Sequence, residues 1–265
     1  MIGSCLSNLL FVLGCCFLAG GCHSKESNFN ATGASANTSL LILSAFAMLL
    51  PNFCKYEDGF ANLDDDNTNA AILAISRIAG VFLLFMYLQL LLFQLRTHDF
   101  LFQGEETEVE PALSCFSSIS VLLGATLLVG LFSEMLVSSI DGFTRDANIS
   151  KSFVGLIVLP IVGNAVEHIT AVKVAYNGKM ELAMGVAVGS ATQISLFVVP
   201  VVVIAGWFMD QPMTLAFPLF DVLVYLMSIL IVYGILADGK SNWLEGSMLL
   251  TAYALIAVTL LWIKV

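Results

Sequence analysis

The stretch Gly189-Ser190-Ala191-Thr192-Gln193-Ile194-Ser195-Leu196-Phe197-Val198-Val199-Pro200 has a counterpart 186 residues earlier, Gly3-Ser4-Cys5-Leu6-Ser7-Asn8-Leu9-Leu10-Phe11-Val12-Leu13-Gly14. Five of the twelve positions are identical, namely the opening Gly-Ser pair and the Leu-Phe-Val register. Apolar helices also match by chance through Leu and Val, but the shared Gly-Ser pair argues for a true internal repeat. Both copies sit in long apolar runs, as the composition requires. Hydrophobic residues make up 58% of the 265, charged residues 11%, and mean hydropathy is +0.93, whereas soluble domains carry roughly 25% charged residues. A hydrocarbon core about 30 Å thick takes roughly 20 residues of helix per crossing. Eight apolar runs meet that need: residues 1–20, 38–53, 70–95, 113–140, 153–176, 181–209, 214–236 and 243–263. The expected fold is all-α and polytopic, with about eight transmembrane helices joined by short polar loops into an antiparallel bundle. The two copies are the first and sixth runs, so they cross in opposite directions. Inverted repeats of this kind build many secondary transporters.

The net charge of -10 and a pI near 4.5 exclude nucleic acid as a partner and favour cations beside the lipid bilayer. The six cysteines, at 5, 15, 16, 22, 54 and 115, show no paired spacing and read as small apolar core residues. Leu18-Ala19-Gly20-Gly21-Cys22 looks like a lipoprotein cleavage box, yet no basic residue precedes Lys25, so a signal peptide is disfavoured. Orientation cannot be read from charge. With alternating spans Lys25, Arg96, Lys173, Lys179 and Lys240 face Lys55, Arg77, Arg145, Lys151 and Lys264, five against five. The acceptor triplets at Asn30, Asn37 and Asn148 fall on both faces and do not help.

Chemistry concentrates in Leu159-Pro160-Ile161-Val162-Gly163-Asn164-Ala165-Val166-Glu167-His168. A carboxylate at mid-bilayer depth costs roughly 2.5 to 3.5 kcal/mol, so Glu167 is a functional candidate; the alternative is a protonated acid held by hydroxyls and amides. Pro160, Gly163 and Asn164 favour a broken helix whose carbonyls can face a cavity. Ser190 and Gln193, three apart, supply oxygens from the sixth run, which Pro200 interrupts. Carboxylate, amide, hydroxyl and carbonyl oxygens suit calcium, with manganese as a second candidate. Glu134 is the other acid inside an apolar run, read equally as a snorkelling or a functional group. Arg77 and Lys173 read as snorkelling anchors. Glu105, Glu106, Glu108 and Glu110 form an acidic loop, either simply solvated or a vestibule that concentrates cations. Asp64-Asp65-Asp66 is no EF-hand, because position six counted from Asp65 is Ala70 and position twelve is Ser76.

Gly163-Asn164-Ala165-Val166-Glu167-His168 followed by Gly189-Ser190-Ala191-Thr192-Gln193 resembles the second signature repeat of the cation/proton exchangers of the calcium/cation antiporter superfamily. Gly3-Ser4 to Asn8-Leu9-Leu10 is similar to their first repeat, and the run 105–110 to their acidic helix. The resemblance implies a secondary active transporter rather than an enzyme, with no catalytic residues and no cofactor. It implies exchange of calcium for protons by alternating access, chiefly at the vacuolar membrane. By the same resemblance Glu167 is cation ligand and proton acceptor, Asn164 shapes the break, His168 tunes proton coupling, and Ser190, Gln193, Ser4 and Asn8 complete the site. Residues 1–95 would be the remainder of the first repeat, 96–112 a cytosolic acidic segment, and 113–265 a complete second repeat. Family members have eleven spans and an acid in each repeat. Glu167 lies 22 residues before Gly189, so its twin would lie upstream of Met1. The expectation is a chain without its first three helices: a fragment, or a short isoform that self-associates or pairs with a full-length exchanger and does not transport alone. A passive cation channel is the rival reading. An intramembrane metallohydrolase is disfavoured, because the other histidines are His23 and His98 and no HExxH spacing occurs.

Overall fold

The computed structural model describes residues 1–53, 65–101, 114–147 and 149–262. The helices used below are α1 Ile2–Gly21, α2 Ala31–Phe53, α3 Asp65–Leu92, α4 Cys115–Ala147, α5 Lys151–Gly163, α6 Ala165–Tyr176, α7 Met180–Phe208, α8 Leu219–Leu236 and α9 Trp243–Trp262. Among the described residues seven helices are long and apolar enough to cross a membrane, and α5 with α6, bent by 60° at Asn164, makes an eighth if the pair is one span. The chain is a multi-pass membrane protein whose eight spans correspond to the eight apolar runs.

Three boundaries differ from the hydropathy reading, each for a local reason. Helix α2 begins seven residues earlier than the run at Thr38, because the Asn30 side chain accepts hydrogen bonds from the Thr32 and Gly33 N–H groups at 3.0 and 3.1 Å. Helix α4 continues past Ile140 as a polar extension to Ala147, where Asp141 pairs with Lys151 at 2.7 Å. Helix α8 starts only at Leu219, because Pro218 ends an irregular segment at 214–218.

Loop contacts establish the alternation of the spans. A two-residue strand β1, Ser27–Asn28, follows α1 and pairs antiparallel with β2, Lys240–Ser241, which follows α8. Glu26 bridges Lys240 at 3.1 Å, and the Asn30 N–H donates to the Glu181 carboxylate at the start of α7. These ends therefore share one face, called here the clasp face. On the opposite side the Leu215 N–H, between α7 and α8, donates at 3.0 Å to Ser76, eleven residues into α3. There too the Ser150 hydroxyl donates to the Leu260 carbonyl at 3.2 Å.

Helix α1 is the centre of the core: Leu9, Leu10, Leu13, Cys16 and Phe17 are fully buried between α6, α7 and α9. It crosses α9 at backbone contact. A Cβ on Gly14 would stand 2.9 Å from the Gly246 carbonyl oxygen, and one on Gly246 would stand 2.8 Å from that of Gly14. The expectation of one bundle needs correcting for α4, none of whose spanning window is buried against the rest. Its apolar side chains point all round, with Phe116, Leu127, Val129 and Phe132 exposed, and lipid tails satisfy such a helix as well as protein does. The cysteine reading also needs correcting. Cys5 and Cys16 are buried and Cys15 is half-buried, but Cys22 and Cys115 are exposed at helix ends; all five are free thiols. Cys54 and Asn148 lie outside the described residues.

Gly246→Ala should lower the thermal midpoint of the detergent-solubilised protein, since overpacking against backbone costs about 1–3 kcal/mol. Gly234→Ala, where a Cβ meets nothing within 4 Å, should leave it unchanged in the same size-exclusion melting assay.

Candidate functional site

The repeat is visible as a contact. Cys5 and its mate Ala191 touch, the thiol lying 3.7 Å from the Ala191 carbonyl and 3.3 Å from the Ser195 hydroxyl. Helices α1 and α7 each leave the α-helical ladder at matching places, through π-helical turns at Ser7–Val12 and Ile194–Val198. From Ser195 a buried chain of hydroxyls runs to Tyr225 at 2.7 Å and on to Ser44 at 3.1 Å. Ser44 donates to the Leu41 carbonyl at 2.7 Å. Each hydroxyl has one proton, so Ser44 must accept from Tyr225 and Tyr225 from Ser195, while the single thiol proton of Cys5 is shared between the Ala191 carbonyl and Ser195. The chain joins α1, α7, α8 and α2, two helices from each half.

The break at Asn164 is real, with φ -105 and ψ 16 ending α5 and opening α6. Asn164 therefore stands at the head of α6 with Glu167 in its first turn, where the dipole of the new helix favours a carboxylate. His168 is buried, with Nε2 3.4 Å from the Ser7 hydroxyl and its ring edge-on to Phe11 at 5.9 Å. This contact fastens the broken span to the π-turn of α1. The side-chain amide nitrogens of Asn164 and Asn8 are buried and without an acceptor among the described residues. Ser4 is half-buried, and Glu167 faces outward from the described residues.

Ser190 and Gln193 line a different space, a cleft of about 610 Å³ shared with Asn37, Tyr87, Gln94, Asp99, Gly185 and Gly189. Its mouth lies at the clasp face, where α3 ends and α7 begins. Gln193 is thirteen residues into α7, a depth of about 20 Å at 1.5 Å per residue. The cleft thus reaches the middle of a bilayer about 30 Å thick. Of the expected site residues, the structure brings Ser190 and Gln193 together here, while Glu167, Asn164, Ser4 and Asn8 are not among the lining residues. Sequence reasoning missed Asn37, Tyr87 and Gln94. Asn37 fell in a segment taken as loop, and the other two in a run read only as apolar.

Glu134 is exposed on α4, in a shallow concavity lined by α4 alone. Arg77, read as an anchor near a helix end, is twelve residues into α3 and lies over the Trp207 ring in the last turn of α7, 5.0 Å from its centroid. Glu105, Glu106, Glu108, Glu110 and Asp64 lie outside the described residues, as do the side chains of Asp65 and Asp66. Among the described residues no three His, Cys, Asp or Glu side chains cluster as a metal site, so oxygens of neutral groups dominate the available ligands.

Residues 1–96 and 117–262 match the family described as sodium/calcium exchanger protein. Over 262 residues the chain is 42% identical to a vacuolar calcium ion transporter of Schizosaccharomyces pombe, covering 97% of this chain and 63% of that protein. It is 38% identical to a Ca2+/H+ antiporter of Aphanothece halophytica, covering 97% and 71%. Among solved structures, selenium-substituted Ca2+/H+ antiporter protein YfkE superposes with a TM-score of 0.79 at 32% identity, over 98% of this chain and 74% of that one. The chain therefore spans less than two thirds of the length of the Schizosaccharomyces pombe relative.

Tyr225→Phe removes the middle link of the hydroxyl chain and leaves Ser195 without its acceptor. The expected loss is about 1 kcal/mol, measured as a lowered thermal midpoint in detergent, with Ser44→Ala costing less because Tyr225 can then turn to the Leu41 carbonyl.

Proposed function

Because the chain belongs to the sodium/calcium exchanger protein family, we propose that it exchanges calcium for protons across a membrane, by alternating access to a site at mid-membrane depth. The observation that carries this reading is the polar cleft running from the clasp face to Ser190 and Gln193. A hydrated divalent ion cannot cross hydrocarbon, and the cleft offers oxygen donors in place of its water. Relatives named as vacuolar calcium ion transporter and Ca2+/H+ antiporter support the cargo, and the vacuolar membrane is the proposed location. Manganese, with the same taste for hard oxygen ligands, is the second cargo to test.

Glu167 is the proposed point of competition between the two cargoes. A carboxylate in the first turn of a helix that starts inside the membrane can hold either a proton or part of a cation's charge, and holding one excludes the other. His168, locked to Ser7, positions that helix against α1, so a change in the occupancy of Glu167 is felt at the crossing of the two halves. Asn164, at the head of the same helix, and Asn8 on α1 carry buried amide donors without an acceptor among the described residues. The proposed organisation is residues 1–95 as part of a first repeat, 96–112 as an acidic segment, and 113–265 as a second repeat. By the resemblance, the acidic segment is cytosolic. Pairing with another copy or with a longer exchanger is a further part of this reading.

Glu167→Gln should abolish uptake of radioactive calcium driven by a pH gradient in membrane vesicles. Removing the charge costs at least about 4 kcal/mol against a nearby cation at an effective dielectric of 20, or roughly a thousandfold in affinity. Uptake at the normal rate would overturn the assignment, and uptake independent of the proton gradient would favour a channel.

A further inference from the structure

Asn37 is an unusual residue to find at its position. It lies in α2, six residues in from Ala31 and hence about 9 Å below the clasp face, and only 9% of it is exposed. Its amide nitrogen donates to the Gly33 carbonyl one turn back, at 3.1 Å. That bond decides the rotamer, because turning the amide over would set two oxygens against each other. The oxygen, Oδ1, is then buried and has no donor among the described residues. An unsatisfied buried acceptor costs about 1–3 kcal/mol, and an asparagine that served only to hold its own helix would have no reason to keep it. Asn37 also lines the cleft, on the side facing Ser190 and Gln193 of α7 and Gln94 and Tyr87 of α3. Across from it, α7 presents Gly185 and Gly189, where an added Cβ would meet nothing within 4 Å. α7 thus leaves the cleft beside Asn37 free of side chains, and Oδ1, closed to solvent in this conformation, meets a ligand there once the Asn37 side chain turns into the cleft. Of the charged groups lining the cleft, Asp99 is the one present; its Oδ1 accepts from the Phe100 N–H at 2.9 Å.

We propose that Asn37 Oδ1 is a cation ligand part-way down the cleft, a station at which a divalent ion exchanges part of its water before reaching Ser190 and Gln193. The proposal rests on the calcium/proton exchange reading and adds a residue to it. A neutral amide oxygen suits such a station. It replaces one water in the ion's shell, as hard cations require, without the full charge that would hold the ion in place. Asp99 nearer the mouth and the amide of Gln94 flank the approach.

The test compares Asn37→Leu and Asn37→Asp in pH-driven calcium uptake into vesicles, with Glu167→Gln alongside. Leu keeps the volume and loses the oxygen; Asp keeps the oxygen and loses the bond to Gly33. Asn37→Leu should raise the KM for calcium about tenfold, the worth of one neutral oxygen contact, with the maximal rate little changed, and Asn37→Asp should show a KM at or below the original. If Leu and Asp raise KM equally, Asn37 acts through Gly33 and the proposal is overturned. A KM for Asn37→Leu equal to that of the unchanged protein overturns it as well. Loss of Glu167-dependent uptake in the unchanged protein would instead overturn the exchange reading. Size-exclusion profiles of each variant in detergent separate a folding defect from a change in binding, and Gly189→Leu, which extends a side chain into the cleft from a position where a Cβ meets nothing within 4 Å, should slow uptake in a well-folded protein.

Discussion

Inside a bilayer no water is available to complete the hydrogen bonds of a peptide backbone, so every departure from the α-helical ladder must be supported by protein or open onto a polar space. The described residues depart from it at five places: π-helical turns at Ser7–Val12, Phe93–Thr97, Val154–Val158 and Ile194–Val198, and the break at Asn164. Four of these lie where α1 meets α5, α6 and α7, with Gly3 against Leu156, Ser7 against His168, and Cys5 against Ser195. The turn at Phe93–Thr97 borders the cleft through Gln94 and Leu95. Irregular backbone is thus confined to the crossing of the two halves and to the polar opening beside it. The remaining helices are regular because nothing asks them to be otherwise.

That arrangement explains the division of labour among the polar side chains. Polar groups at the crossing satisfy each other: Cys5, Ser195, Tyr225 and Ser44 in one chain, Ser7 with His168 in another contact. Polar groups in the cleft line an open space instead. The amides of Asn8 and Asn164 lie between these two conditions, buried at the crossing yet lacking an acceptor among the described residues.

Much of the fold was legible in the amino-acid sequence because the bilayer constrains it so tightly. Eight runs of sufficient length could only be eight crossings, and the 186-residue offset found in the repeat is the separation of Cys5 from Ala191, which touch. Ser190 and Gln193 were legible as polar residues three apart in an otherwise apolar run, and Glu167 as an acid where acids are expensive. What was hidden depends on context that hydropathy does not record. Asn37 was hidden because the helix that holds it begins at a capping residue, not where the apolar run does. Tyr225 was hidden because a tyrosine among leucines looks like core until its hydroxyl is seen between two serines. The outward position of Glu167 was hidden because it follows from the direction the chain takes after Asn164, which spacing along an unbroken helix cannot give.

The hydroxyl chain at the crossing has a further consequence. Its direction is set from the Ser195 hydroxyl to the Leu41 carbonyl, and every member from Cys5 onward is at most 2% exposed. A proton relay needs an entrance and an exit in contact with water, and a way for each rotor to reset after passing its proton on. This chain ends at a carbonyl already engaged and begins at a thiol sealed in the core. It therefore joins the two halves through polar bonds without offering protons a continuous path.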